Sequence, residues 1–261
     1  MGHNRLGRLK LTRRWREVVA LLDAPSAAVD AVASAVAEAA DMRFRELGNA
    51  PALNYAFWVL ARITWAARSD SFLKELNWLG VRDSPDASAL GLISGTAQHV
   101  RSEVSRHPDQ DDFTEIVTLA VTRSLTETVG REGPGLFSST AEDARRAFAT
   151  YSTPAKFAEL TRLFFADVMA RSLRAFVDRE LSNHTGPDRA VKTSGDGADF
   201  LDALDLHTRQ GARIVEEFSG SWYSLHNWES SGDISLDESG RFVSQAMRKL
   251  RAELKRGAES D

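Results

Sequence analysis

One stretch, Pro51 to Arg68 (PALNYAFWVLARITWAAR), limits what this chain can become. Proline suits a first helical position. The roughly five turns that follow have almost no polar face, because Leu53, Tyr55, Phe57, Trp58, Leu60, Ile63, Trp65 and Ala67 are spread around the whole cylinder. A helix that is apolar all round belongs in a core. The expected fold is all-α: a single multi-helix globular domain of about nine or ten helices around a buried central helix, 51–68. A membrane span needs about 20 apolar residues, and Arg62 in mid-stretch opposes one. On a buried face the Arg62 guanidinium needs a carboxylate, or a route by which its head reaches water.

The other segments read as amphipathic helices. Residues 1–12 form a basic N-terminal arm, and 13–261 the all-helical domain. A short helix runs to about Leu22, and an alanine-rich one covers Pro25 to Leu47. Beyond the central helix, Asp70 can cap a short helix bearing Phe72, Leu73, Leu76 and Trp78. Ala87 to His107 and Asp112 to Val129 follow. Ser139 and Glu142 have capping-box spacing, and the longest helix runs from Thr153 to about Asn183. A polar linker, 184–197, marks a possible subdomain boundary. Ala198 to Trp222 then carries an inward stripe through Leu204, Thr208, Gly211, Val215, Phe218 and Trp222. Ser235 and Glu238 cap the last helix.

Composition narrows the function classes. The chain has 261 residues, 43% hydrophobic and 27% charged, which is ordinary for a globular protein. No cysteine is present, which removes disulfides, thiol catalysis and cysteine-ligated zinc and suits a reducing compartment. A net charge of −4 gives no overall drive towards nucleic acid. Arginine outnumbers lysine 27 to 6, a bias read as bacterial. No signal peptide is visible at the basic start, so a cytoplasmic location is expected.

The chemical motifs fail on geometry. His99, Glu103 and His107 share a helix face, but eight residues rise about 12 Å, too far for both histidines to hold one ion. The glycines at 130, 133 and 135 lead into a helix without the Gly-Lys-Ser/Thr of a phosphate loop. Asp199, Asp202 and Asp205 suit a helix N-terminus as well as they suit magnesium. No nucleophile and base can be paired. No cofactor, metal or catalytic residue is assigned.

What remains is contact chemistry. Residues 219–229, SGSWYSLHNWE, are the densest aromatic segment, and tryptophan and tyrosine are the commonest hot spots. Trp222 continues the inward stripe, so it is assigned to the core. Tyr223 and Trp228, with Asn227 and Glu229, are assigned to a protein partner. Arg62 and His207 form a possible buried polar site. The expected function is a non-enzymatic helical protein acting through protein contacts, as an accessory subunit of a bacterial multi-component system. One alternative is a nucleic-acid-associated factor using Arg13, Arg14 and Arg16 with Arg248, Lys249 and Arg251. The other is an enzyme whose site is assembled from dispersed residues.

Overall fold

A computed structural model describes residues 13–24, 29–81, 88–106, 111–135, 137–183, 185–189, 191–230 and 232–256. The arm 1–12 therefore lies outside the described residues. Within them the chain is all-α, with two isolated bridges and no strand. The helices are α1 (Arg13–Asp23), α2 (Val29–Ala39), α3 (Asp41–Gly48), α4 (Pro51–Ala66), α5 (Phe72–Trp78) and α6 (Ala89–Val104). They continue as α7 (Asp111–Glu132), α8 (Ala141–Thr150), α9 (Pro154–Asn183), α10 (Ser194–Gly211), α11 (Arg213–Glu229) and α12 (Leu236–Arg256).

All ten expected segments are present, and two of them are divided. The alanine-rich segment splits between α2 and α3 at Ala40. The segment expected to run unbroken from Ala198 to Trp222 splits at Ala212. There Gly211 abuts α12 so closely that an added Cβ would lie 2.8 Å from Leu254 Cδ2. α10 also starts earlier than expected, inside the polar linker. Thr193 and Asp196 form a reciprocal capping box, which satisfies the first free amides. α8 is capped in the same way by Thr140 and Asp143, one residue beyond the expected pair. The Ser235–Glu238 box forms as expected.

α4 is the buried helix its sequence demands. Leu53, Phe57, Val59, Leu60, Ile63 and Thr64 are all buried, and α12, α7, α6 and α8 pack around it. The second axis is α9, about 45 Å long, which packs most extensively on α11, α10 and α7. The two axes meet through aromatic side chains. The Phe57 ring lies 4.7 Å from Phe242, 5.5 Å from Trp222, 5.8 Å from Phe165 and 6.0 Å from Phe157, centroid to centroid. The hydrophobic core runs continuously through residues on both sides of 184–197, with Val191 of that linker buried in it. No helix among the described residues is long and apolar enough to cross a membrane.

Candidate functional site

Arg62 is held by a strap. The connection from α11 to α12 runs along α4, and three α4 side chains reach its carbonyls. Asn54 Nδ2 donates to Leu236 O at 3.1 Å, Trp58 Nε1 to Ile234 O at 2.8 Å, and Arg62 Nη1 to Gly232 O at 2.9 Å. The spacing explains the match. Four helical residues rise about 6 Å, and two extended residues span about 6.6 Å. Donors at i, i+4 and i+8 therefore meet alternate carbonyls of a segment running the opposite way. Arg62 also pairs with Asp233, the carboxylate its burial requires. Its guanidinium lies 5.9 Å from the Trp58 ring centroid and 5.2 Å from that of Trp78. Gly232 has φ +90°, and a Cβ there would overlap the Trp65 indole. Arg68 lies 4.4 Å over the other indole surface at this end, that of Trp65. Between strap and α5 a cleft of about 450 Å³ is lined by Arg62, Trp65, Arg68, Glu75 and Asp233.

Arg62 thus serves the strap rather than an open anion site. Arg62→Ala should cost about 1–3 kcal/mol through lost hydrogen bonds. Arg62→Met should cost less, because its stem still packs beside Trp58 and Trp78. Thermal melts of the pair check this, and equal losses would contradict the packing role.

The residues assigned to a partner divide into two faces. Tyr223 is 1% exposed, so its assignment to a partner is corrected. Its ring stacks on Phe157 at 3.8 Å, and its hydroxyl meets Thr64 Oγ1 at 3.0 Å. Burial pushes the phenol pKa up to about 12, against smaller opposing effects from Thr64, Arg68 and Asn227. Asn227 is likewise buried, donating to Tyr223 O at 2.8 Å. The physical reason is a close crossing with α9. Gly220 brings α11 against the Pro154 carbonyl and Ala158 Cβ, and this turns Val215, Ser219, Gly220, Tyr223 and Asn227 inward. Trp222 is half-buried and packs against the core, as assigned.

Trp228 and Glu229 remain outside. Trp228 is about 140° round the helix from Tyr223 and 82% exposed. Leu225, one turn earlier, is also exposed. Trp78, one of the apolar residues read on α5, is 68% exposed. It lies two residues, about 200°, from the buried Leu76. That angle was the available signal, since Phe72, Leu76 and Leu79 already made the inward face.

The other candidates are engaged or dispersed. Arg251 chelates Asp41 at 3.0 and 2.9 Å, and Lys255 joins at 2.9 Å. Burial would raise the Asp41 pKa, but these hydrogen bonds hold it below its usual value. Arg251 is therefore corrected from a nucleic-acid contact to an internal tie between α12 and α3. Lys249 lies 4.2 Å over the Phe218 ring. Arg248 and Arg16 are exposed; the side chains of Arg13 and Arg14 lie outside the described residues. His207 has a buried Nε2 without a hydrogen-bond partner, and it lines neither the cleft beside Arg62 nor the groove described next. Asp202 and Asp205 both accept from Arg174. A groove of about 250 Å³ between α7, α9 and α10 is lined by Arg123, Glu127, Arg131, Glu159, Asp167 and Arg209 among others. There Arg123 and Arg131 are tied to Glu127, Asp167 and Glu159.

His107 lies outside the described residues, and no group of three metal-ligating side chains occurs among those described. His99 is engaged elsewhere: its Nε2 lies 2.7 Å from Tyr55 Oη. Burial holds its pKa below the ordinary 6.5, with Arg106 acting the same way and Glu103 opposing. The unfolded chain therefore takes up a proton first as pH falls. Stability contributed by neutral His99 is present above about pH 6.5 and is lost as pH falls through the lower folded pKa. An NMR titration of the His99 ring should show a midpoint below 6.5, and a midpoint at or above it would contradict this reading.

No family model, curated protein or solved structure matches this chain.

Proposed function

We propose that this protein is a non-enzymatic accessory subunit of a bacterial, cytoplasmic multi-component system. It docks another protein at the end of the bundle where Trp228 and Trp78 stand clear of the core. The observation that carries this reading is the exposure of Trp228 on a helix whose opposite face is fully packed. Leaving a large apolar side chain in water forgoes roughly 1.5–3 kcal/mol of burial. Leu225, one turn earlier, is exposed too, as is Trp78, which lies against the Arg62 that holds the strap, and exposed tryptophans with polar neighbours suit an interface anchor and its rim. The cysteine-free, arginine-rich composition supports the compartment and source.

Affinity capture from the native host tests the proposal. Trp228→Ala should keep its Tm, because an exposed side chain contributes within about 0.5 kcal/mol, and should lose the captured protein. Retention of that protein by Trp228→Ala and by Trp78→Ala would overturn the reading. Capture abolished by nuclease instead would move the account to nucleic acid.

A further inference from the structure

Resting on that docking reading, we infer that the partner presents a basic segment whose arginine or lysine stacks on Trp228. Two independent features of the surface carry this. The first is how this end treats its own indoles. Trp58 and Trp78 share the Arg62 guanidinium, and Trp65 holds that of Arg68. Trp228 has no cation against its ring among the described residues, although it is the most exposed of the four. An indole face attracts a guanidinium or ammonium through its quadrupole, and here that place is open.

The second feature is charge. Between Arg213 and Arg241 the chain has no lysine or arginine, while Glu216, Glu217, Glu229, Asp233, Asp237 and Glu238 are acidic. Glu229 follows Trp228 directly. The Gly232 amide donates to Asn227 O at 2.9 Å, which folds Asp233 back beside the end of α11. Asp233 is 77% exposed at its side chain even while it pairs with Arg62. Asp237 is exposed in the first turn of α12. The C-terminal end of α11 adds the negative pole of its dipole. Glu216 is paired with Arg162 and Glu238 caps α12 at Ser235, but an anionic segment would meet repulsion from Glu229, Asp233, Asp237 and the end of α11, to which a cationic one is complementary. Leu225 adds the apolar contact that an amphipathic basic segment would cover.

The test uses three labelled synthetic peptides of one helical pattern, with leucines interspersed by lysine, by glutamine or by glutamate. Binding to the full chain is followed by fluorescence anisotropy at low and high salt. The lysine peptide should bind saturably and weaken as salt rises. Trp228→Ala should weaken it roughly tenfold or more. The double variant Glu229→Gln/Asp237→Asn should weaken it several-fold and flatten the salt dependence, and the glutamate peptide should not bind. If lysine and glutamine peptides bind alike and both need Trp228, the basic partner is wrong while the docking surface stands. If the lysine peptide binds equally to Trp228→Ala, it samples general negative charge, and both the stacking and the docking readings fall. Absence of saturable lysine-peptide binding at low salt overturns the basic-partner inference. Circular dichroism and melting of each variant show that it is folded.

Discussion

Phe57→Ala is expected to destabilise the fold by about 3–5 kcal/mol, the range for removing a large core aromatic. Phe57 is 1% exposed and lies where α4, α9, α11 and α12 converge. Its ring has centroid contacts with Phe157, Phe164, Phe165, Trp222 and Phe242. These neighbours come from three other helices, so no single one can relax into the space without leaving another partner. The cavity term therefore adds to the lost transfer energy. Urea unfolding checks this, with Phe137→Ala as the comparison. Phe137 is 91% exposed, and its loss should stay within about 0.5 kcal/mol. Similar losses for the two would contradict the placement of the core.

Gly232→Ala is the second large effect, about 3 kcal/mol or more. A φ of +90° costs an L-residue about 1–2 kcal/mol, and the new Cβ would overlap the Trp65 indole. The ring lies directly against Gly232, so the ring or the strap must shift. A displaced strap puts at risk the hydrogen bonds from Asn54, Trp58 and Arg62 to three alternate carbonyls that face α4, each worth about 1 kcal/mol net. Hydrogen exchange should show faster opening at residues 232–236 than in wild type, together with a lower Tm. A variant that melts like wild type would mean that the strap contributes little to holding α11 and α12 on α4.

These two positions differ in how far the sequence announced them. Phe57 sits in a stretch apolar on every side, and such a pattern leaves a helix one place to go. The need of Arg62 for a carboxylate followed from the same reasoning. Which acid answers it did not, because Asp233 lies far away in sequence and arrives by way of a turn. The strap itself is invisible to periodicity, since its regularity lies in the agreement between a helical rise and an extended one. The burial of Tyr223 and Asn227 is hidden from the sequence for a related reason. The inward face of α11 passes through Ser219 and Gly220, residues that carry no hydrophobic signal. They face inward because α9 comes close enough to need them small. Extending the stripe from α10 through Gly211 gave Trp222 correctly but hid the break at Ala212, after which a different row turns to the core. Trp228 could be placed outside because every inward register of α11 leaves it on the far side.

We propose that the exposed end of α11 meets a protein while its buried face holds the fold. A photocrosslinking residue placed singly at positions 228, 78 and 137 in cells of the native host tests it most directly. Discrete protein adducts are expected from 228 and 78, and none from 137, which is exposed but belongs to the α7–α8 connection. Absence of an adduct at 228, or the same adducts at all three positions, would contradict it.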